Sequence, residues 1–529
     1  MLFILAVELL AINLRNNKDI HGHKIGLFSF TITQLADDTT LFLRDIDSLK
    51  KALHVLHKFK NISGLKLNRA KTEILQIGKP LTSNYKLLDL KWEKEKIYAL
   101  GTWFYEDYQQ TITETYACRL QILKDTLRIW SRRNLTWIGK ITVIKTLCIS
   151  KINFAISSIE SPEWFINETK RLLEEFLWNS KPPRVKNKVM YNDYDKGGLR
   201  MPNLHLYVKA QNMNWIKLLL NNKTTVPYQY LSTFLSMTLT DYLKCNTDAN
   251  DLPKDIPNFY KEILKAWFSL KEEPKTATDI QREVLWHNKY IKIGNKTIFI
   301  EKLYRMGLVY INDIINKDGK FIPYNTLVNR FGNLVSEYTY MCIKDSVPTK
   351  WRKILTERRL VEISPAEETV FYKFKTLCKP AKLLNSKQIY WQLNTQTIQV
   401  PTCQTKWLTN YFFEFTETRW KNIFTLAKSL TKNTKLIEFQ FKIIHRVYAS
   451  DSYVANFDLT VNKVCQLCNV TNNIMHQFVD CESVKIFWQL FKAWLTQIEG
   501  YNIILNSSDI IFWGLCWFIL QIKLFSSPC

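Results

Sequence analysis

Apolar residues recur at helical spacing near the start of the chain, and the pattern then changes to the alternation that is typical of strands. Over residues 1–17 the apolar positions lie three or four apart, which predicts an amphipathic helix. Residues 27–33 alternate β-branched or aromatic residues with polar ones, and residues 39–43 form a short apolar run. We therefore expect two strands joined by a tight, partly buried turn that contains Asp37 and Asp38.

A second helix and another strand are predicted after this hairpin. Residues 46–62 repeat leucine and phenylalanine at three- and four-residue spacing. Asp45 or Asp47 can cap the start of this helix, and Gly64 can end it. After a polar insert, residues 97–104 predict a strand with a glycine kink.

The rest of the chain has mostly helical patterns. Residues 111–180 carry an apolar and aromatic stripe at helical spacing, which we interpret as core, and Thr136 can cap one of the helices. Residues 221–419 contain no repeat and predict a mixed, mostly helical connector. A helical run at 436–446 then leads to a group of cysteine and histidine residues.

This group has the spacing of a zinc site, Cys465-x2-Cys468-x7-His476-x4-Cys481. A Cys-x2-Cys pair forms a tight turn that directs two thiolates at one ion. His476 and Cys481 can complete a tetrahedral set with no open position, which indicates a structural zinc ion. The alternative is three unrelated cysteines and a histidine in a core.

The adjacent carboxylates of Asp37 and Asp38 suggest a second metal site. Two like charges in a partly buried turn are unfavourable unless a cation binds them. Carboxylate oxygens suit Mg²⁺ or Mn²⁺, and two such ions about 3.5–4 Å apart are the recurring arrangement for phosphoryl transfer in polymerases. The alternative is an ordinary turn that closes a surface hairpin.

The net charge favours a polyanionic partner. The chain has 73 lysine and arginine residues against 48 aspartate and glutamate residues, which gives +25. Nucleic acid is the first candidate for such a chain. A basic loop at 181–188 suits phosphate contacts, although a solvated run of charges fits the same pattern. Its candidate nucleic-acid contacts are Lys181, Arg184, Lys186 and Lys188.

Other features favour an intracellular protein of the nucleus and cytoplasm that does not enter a membrane. The 11 cysteines are scattered and odd in number, so a secreted disulfide framework is not indicated. The apolar start contains Glu8 and has no basic segment before it, unlike a signal peptide. The apolar stretch at 510–520 is shorter than the ~20 residues of a membrane span, so we expect it to be buried.

Several of these blocks resemble, in the same order, the C-terminal part of the reverse transcriptase of LINE-type non-LTR retrotransposons. Leu2–Glu8 resembles the helix after the family's template-contacting motif, and Ala36–Asp38 resembles its catalytic hairpin. Further matching blocks are Gly64–Asn68 with Lys71–Glu73, Leu100–Gly101 with Trp103, Trp137–Lys140, Gly197–Asn203, and the Cys-His segment near the C-terminus.

The resemblance implies roles for particular residues. Asp37 and Asp38 would hold catalytic Mg²⁺ or Mn²⁺, and Lys71 would lie near the incoming triphosphate. Lys66 and Arg69 of the same block are candidate nucleic-acid contacts. The implied partners are an RNA template, a DNA primer and the element's own RNA, and the Cys-His segment would hold Zn²⁺ and bind RNA.

The expected fold is α+β, with a partial polymerase palm (an antiparallel hairpin plus helices) followed by mostly helical regions and a small zinc-binding segment. We expect five regions: a partial palm at 1–110, a helical thumb-like region at 111–220, the connector at 221–419, the Cys-His zinc-binding segment at 420–495, and an apolar, truncated tail at 496–529.

The chain also departs from the family. The family has an aromatic residue before Ala-Asp-Asp, whereas this chain has Leu35. The family's earlier palm aspartate and its fingers are expected ahead of the first residue, so we expect this chain to be inactive as a polymerase alone. A non-catalytic nucleic-acid-binding remnant and a group II intron-type maturase are the alternatives, and the cysteine spacing favours the LINE type.

Overall fold

The computed structural model describes residues 2–25, 28–78, 90–332, 336–357, 359–360, 369–374, 377–502 and 504–514. The chain is of mixed α+β type and predominantly helical, as the sequence predicts at this coarse level. The helices are α1 Leu2–Asn16, α2 Ile46–Ser63, α3 Tyr108–Ser131, α4 Trp137–Val143, α5 Ser150–Ser158, α6 Glu163–Trp178, α7 Asn187–Met190, α8 Leu204–Asn221, α9 Val226–Ser232, α10 Leu239–Lys244, α11 Asn258–Phe268, α12 Ala277–Gln281, α13 Glu301–Arg305, α14 Tyr324–Phe331, α15 Glu337–Ser346, α16 Thr349–Thr356, α17 Ser386–Thr395, α18 Thr402–Tyr411, α19 Glu417–Leu430, α20 Thr434–Ile444, α21 Asp451–Val454, α22 Glu482–Glu499 and α23 Ser507–Asp509.

The strands are short, and within the described ranges they form two-stranded sheets: β1–β2, β3–β4, β5–β6, β7–β8, β9–β10 and β11–β12. The β5–β6 pair is parallel, and the other pairs are antiparallel. The strands are β1 His23–Ile25, β2 Phe28–Phe30, β3 Ile32–Leu35, β4 Asp38–Leu41, β5 Glu73–Leu75, β6 Lys91–Glu93, β7 Lys96–Ala99, β8 Thr102–Tyr105, β9 Lys292–Ile293, β10 Lys296–Thr297, β11 Phe371–Phe374 and β12 Leu377–Pro380.

The chain divides into two compact units that each combine two segments of the sequence. The first unit contains Met1–Glu114 and Lys209–Ile389, and the second contains Thr115–Val208 and Tyr390–Cys529. The aspartate pair belongs to the first unit, whereas the Cys-His group belongs to the second.

The N-terminal core of the first unit forms where α1 and α2 pack together beside β3. The predicted caps of α2 are confirmed, because the Asp45 carboxylate accepts a hydrogen bond from the Ser48 N–H and Gly64 ends the helix at φ 74°. Apolar positions on the inner faces of both helices join this core. Its buried members are Leu10, Ala11, Leu14, Ile20, Ile32 and Ala52.

Two strand predictions were wrong in detail. The run at 27–33 is divided into β2 and β3, which pair with different partners, and Leu27 lies outside the described residues. The run at 97–104 is the β7–β8 hairpin rather than one kinked strand. Leu100 and Gly101 take φ 50° and 77°, and two successive left-handed residues reverse the chain in a two-residue turn.

The helices predicted at 111–180 are present as α3 to α6; α3 begins in the first unit, at Tyr108, and the others belong to the second. The Thr136 side chain caps α4 by accepting a hydrogen bond from the Gly139 N–H, as predicted. A π-helical stretch, Ile144–Ile149, makes α4 and α5 continuous. This continuous segment, Trp137–Ser158, has the length and composition that would suffice for a membrane span, with mean hydropathy 1.2. Core helices pass the same test, and Ile144, Ile152 and Ala155 of this helix are fully buried.

The glycines of the Gly197–Asn203 motif are explained by a tight turn. A Cβ atom on Gly198 would lie 2.2 Å from the backbone oxygen of Asn192, so only glycine fits there. Arg200 has φ 58° and is held by two hydrogen bonds from its guanidinium to the Asp193 carboxylate, at 2.5 and 2.7 Å. The turn therefore fixes the chain between α7 and α8.

Candidate functional site

The first two cysteines of the Cys-His cluster (Cys465, Cys468, His476 and Cys481) lie on a tight turn. The Cys465 N–H donates to the Val470 oxygen at 2.9 Å, and the Asn469 N–H donates to the Cys465 oxygen at 3.0 Å. Asn469 takes the left-handed φ of 53° that allows this reversal. These bonds close the Cys-x2-Cys segment on itself, which directs both thiols to one side.

The other two members of the cluster lie at the two ends of a π-helical turn, His476–Asp480. The Cys481 N–H donates to the His476 oxygen at 2.9 Å, which is the i→i+5 bond of a π turn. The Asn473 side chain accepts from the His476 N–H at 2.9 Å and fixes the start of the turn. The wider turn therefore brings a histidine and a cysteine together at a separation of five residues.

The four side chains offer one ligand atom each, and these atoms all lie within 4.8 Å of one another. The sulfur atoms of Cys468 and Cys481 are 3.7 Å apart. A tetrahedral zinc ion with Zn–S bonds of ~2.3 Å requires sulfurs about 3.8 Å apart. The Nε2 atom of His476 is buried and has no hydrogen-bond partner, which is unfavourable unless it binds something. The donor set thus fits a closed zinc site, as predicted.

Two neighbouring thiols of the cluster have pKa values shifted in opposite directions. A backbone hydrogen bond from Glu482 lowers the pKa of Cys468, but burial and the adjacent Cys481 outweigh it and raise that pKa. The sulfur of Cys481 lies 3.3 Å from the Ser483 hydroxyl, and this hydrogen bond lowers the pKa of Cys481 to about 7. Because metal binding requires the deprotonated thiol, a lowered pKa favours the ligand form near neutral pH.

A buried core rich in aromatic residues packs against the segment that contains the cluster. Ile474, Met475 and Val479, which flank or follow His476, pack into this core. The indole of Trp488 on α22 donates to the Phe478 oxygen at 2.8 Å and attaches the following helix. The part of the apolar tail that is described joins the same core through Ile511 and Phe512, while residues 515–520 lie outside the described residues. The other large buried members are Trp407, Trp420, Ile423, Ile443 and Ile444.

The aspartate hairpin, formed by β3, β4 and their turn, is a different kind of site. Leu35 pairs with Asp38, so only Ala36 and Asp37 form the turn, and Ala36 takes φ 54°. Asp38 is the first residue of β4 rather than a turn residue. Both carboxylates are exposed, so the expectation of a partly buried turn was wrong.

The geometry at this hairpin does not complete a metal site. Within the described residues, the Cys-His cluster is the group of three or more potential ligands that could hold an ion, and neither Asp37 nor Asp38 belongs to such a group. Mg²⁺ is usually held by one or two carboxylates together with waters and substrate phosphates, so two exposed carboxylates by themselves do not identify a magnesium site. Lys66, Arg69 and Lys71, the other candidates of this region, are exposed and lie in the turn segment between α2 and β5.

The basic loop is shorter than predicted, because α7 begins at Asn187 and places Lys188 in a helix. All four predicted cations, Lys181, Arg184, Lys186 and Lys188, are exposed. Two of them, Lys181 and Arg184, line a cleft of about 210 Å³ within the second unit, which we call the basic cleft. Its other lining residues are Asn134, Leu135, Trp137, Lys140, Trp178, Asn179, Pro182, Glu438 and Lys442.

Buried charges form the floor of the basic cleft. The Glu438 carboxylate accepts a hydrogen bond from the Trp137 N–H at 2.6 Å, at the first turn of α4. Lys442 lies one helical turn further along α20 and contacts Glu438 at 2.5 Å. The ammonium of Lys140 donates to the Phe176 and Leu177 oxygens and to the Asn179 side chain, at the end of α6. Burial lowers the pKa of Lys140.

Lys140, Glu438 and Lys442 are site residues that the sequence pattern does not indicate. Lys140 and Lys442 each lie in a segment that the apolar spacing predicts to be a helix. A charged residue among the apolar positions is the one feature of the sequence that could have indicated a site there. Glu438 contacts a backbone group 301 residues away in the chain, which no local pattern reveals.

A comparison of the chain with protein-family models found no family model that matches it.

Proposed function

We propose that this chain is the C-terminal part of an RNA-directed DNA polymerase of the LINE type, and that its own activity is nucleic-acid binding supported by a structural zinc ion. The single observation that carries the polymerase assignment is the position of Ala36–Asp38, at the tip of a two-residue β-hairpin with both carboxylates facing solvent. The motif order along the chain and the zinc-compatible Cys-His cluster support the same assignment.

Magnesium ions in polymerases supply charge neutralisation and in-line alignment for nucleotidyl transfer. In this proposal Asp37 and Asp38 contribute two carboxylates to that site, and the missing ligand comes from an earlier palm aspartate implied by the resemblance. Lys71 would contact the triphosphate, and Lys66 and Arg69 would contact the template or primer backbone. The partners would be an RNA template and a DNA primer.

A non-catalytic nucleic-acid-binding protein is the second candidate, and a specific observation favours it. The carboxylates of Asp37 and Asp38 have no third potential ligand beside them in the part of the chain that the structure describes. Binding through the basic cleft and the zinc segment would not require one. The maturase alternative has no such observation in its favour.

Primer extension separates the two candidates. We expect the chain alone to give no extension of a DNA primer on an RNA template, with Mg²⁺ and then with Mn²⁺, because two carboxylates do not hold two mutually repelling ions. Robust extension that disappears in Asp37→Asn would show a complete enzyme and reject the non-catalytic candidate. Extension that appears only when an upstream palm segment is added would support the polymerase assignment.

Nucleic-acid binding is tested by its salt dependence. We expect the chain to bind single-stranded RNA and DNA of unrelated sequences with similar affinity, because phosphate contacts carry little sequence information. The affinity should fall steeply between about 50 and 200 mM salt, as neutralised phosphates release counterions. A flat salt dependence, or no binding at low salt, would reject the proposed function.

A further inference from the structure

The basic cleft combines several cations with a single carboxylate. Lys140, Lys181, Arg184 and Lys442 line it, and Glu438 is the acidic residue among the lining side chains. Concentrating like charges in a concave surface is unfavourable by itself, and it focuses the electrostatic field on an anion. We propose that the basic cleft binds a phosphate group of a nucleic-acid strand through Lys181, Arg184 and Lys442. This inference rests on the proposed nucleic-acid-binding function and assigns it a location.

The cations at the rim of the cleft are available for a ligand. The side chains of Lys181 and Arg184 are exposed, and the described residues give them no ion pair or hydrogen bond. Lys442 contacts Glu438, but an ammonium has three N–H donors, so this one contact leaves others for an anion. Its position is fixed by the Trp137 ring, whose centroid lies 4.9 Å from the Lys442 nitrogen.

The residues at the floor of the cleft contribute positive electrostatic potential but no further hydrogen-bond donor to a ligand. The three N–H groups of Lys140 match its three acceptors at the end of α6, so its charge acts on a ligand only at a distance. The Trp137 N–H, which could otherwise bind an anion at the start of α4, donates to Glu438. Direct contacts therefore come from the rim and from Lys442.

Phosphate fits these contacts better than a carboxylate does. A guanidinium fork and two ammonium groups around one cavity match a group with several acceptor oxygens arranged tetrahedrally. The indoles of Trp137 and Trp178 are at most 9% exposed, so neither ring offers a face on which a base could stack. The cleft thus suits the backbone or the end of a strand rather than its bases, and binding should not depend on sequence.

The chain provides a matched control in the same segment. Lys186 and Lys188 are also exposed, but they do not line the cleft. One variant changes Lys181 and Arg184 to alanine, and the other changes Lys186 and Lys188. Each variant removes two positive charges from the same eight-residue segment. Because all four side chains are exposed, both double variants should fold, which a thermal melt would verify.

The experiment compares the full chain with the two double variants on a dT oligonucleotide over a salt series. We expect the Lys181→Ala/Arg184→Ala variant to bind roughly tenfold more weakly, and its log–log salt slope to be smaller by about 0.7, which is the contribution of one phosphate contact on a single strand. Lys186 and Lys188 were also predicted as nucleic-acid contacts, but they lie outside the cleft, so the Lys186→Ala/Lys188→Ala variant should lose clearly less affinity and less of the slope. Equal losses in the two variants would overturn the cleft assignment.

Two further arms identify the source of the phosphate and separate this inference from the proposed function. A preference for 5′-phosphorylated over 5′-hydroxyl oligonucleotide that is lost in the cleft variant indicates a terminal phosphate, whereas no preference indicates an internal phosphodiester. Inorganic phosphate, followed by tryptophan fluorescence, tests the cleft alone. Suppose that phosphate changes the fluorescence of the wild type but not of the cleft variant, and that the wild type does not bind the oligonucleotide. This result would reject the proposed function and retain the anion site. No response to either probe would overturn both.

Discussion

The aspartate hairpin and the Cys-His cluster are both short motifs with metal-binding side chains, but they differ in how much of a site they contain. The cluster gathers four ligand atoms within 4.8 Å from a segment of 17 residues, and the segment's own turns position them. The hairpin places Asp37 and Asp38 on the surface with no third ligand among the described residues. The first has the donor set of a closed site, whereas the second gathers two carboxylates and no complete donor set among the described residues.

Burial explains the difference in physical terms. His476 and Cys481 are buried, and the π turn between them is attached to a core of aromatic residues. Packing therefore helps to hold His476 and Cys481 beside each other. The aspartate hairpin has inner residues such as Ile32 in a core, and near its tip the described contacts are the strand pairing and a hydrogen bond from the Gln34 side chain to the Thr39 hydroxyl at 3.2 Å. A motif identifies a complete site only where the surrounding fold supplies the remaining contacts.

The largest test of this comparison removes two zinc ligands. The Cys465→Ser/Cys468→Ser variant should lose the ~1 zinc per chain expected of the wild type, because two hydroxyls cannot replace two thiolates. Structural zinc contributes on the order of 10 kcal/mol to small domains of this kind, so the region around α21 and α22 should unfold locally. Metal analysis and hydrogen exchange measure the two effects.

The control for this variant is Cys378→Ser, which changes an exposed cysteine outside the cluster. It should keep the zinc and the protection from exchange. A double serine variant with full zinc occupancy and unchanged exchange would show that the Cys-His cluster is an ordinary core group, and the contrast with the hairpin would disappear.

The next test concerns the buried charges that connect α4 with α20 in the same unit as the cluster. Glu438 is 10% exposed and Lys442 is 28% exposed, so changing Glu438 to glutamine leaves a half-buried ammonium without its counter-charge. We expect a loss of about 3 kcal/mol in the free energy of unfolding, seen as a lower urea midpoint.

A surface pair of similar length provides the comparison. Glu417 contacts Lys196 at 2.6 Å but is 85% exposed, so Glu417→Gln should change stability by less than about 0.5 kcal/mol. If the two substitutions lowered the free energy of unfolding equally, burial of the Glu438–Lys442 pair would not determine its contribution to stability.

A smaller effect is expected from His445, which belongs to the region beside the aromatic core. Its ring stacks on Phe441 at 4.1 Å, and burial lowers its pKa from 6.5 to about 4. Between these values the unfolded chain binds a proton that the folded chain does not, so stability falls as the pH falls from 6.5 towards 4. The contribution is about 3 kcal/mol at its largest, reached near pH 4 and below.

Urea midpoints at several pH values measure this slope. The His445→Gln variant should have a shallower pH dependence than the wild type, whatever its stability at neutral pH. His205, whose side chain is 41% exposed, provides the control, because His205→Gln should leave the slope unchanged. Parallel slopes for the wild type and His445→Gln would contradict the assignment of a buried neutral imidazole.

The sequence predicted the local features of this chain well, since their causes are local. The apolar spacing and the Asp45 cap located α2, and the Cys-x2-Cys spacing located the cluster. It did not predict the floor of the basic cleft, because the Glu438 carboxylate and the Trp137 N–H meet across 301 residues. The β7–β8 hairpin was missed because Leu100, a residue without a turn preference, takes a left-handed φ.

The smallest effect is expected at the aspartate hairpin itself. The Asp37→Asn/Asp38→Asn variant should unfold within about 0.5 kcal/mol of the wild type, since both side chains are exposed and asparagine suits a turn. Its zinc content should be unchanged. If the hairpin is only part of a metal site, it does not bind Mg²⁺ by itself. An ion stabilises the folded chain only when it binds to the folded state, so about 10 mM Mg²⁺ should then shift the melting temperatures of the wild type and the variant equally. A Mg²⁺-dependent stabilisation of the wild type that the variant lacks would show that Asp37 and Asp38 bind the ion without further ligands, and the hairpin would then be as complete a site as the cluster.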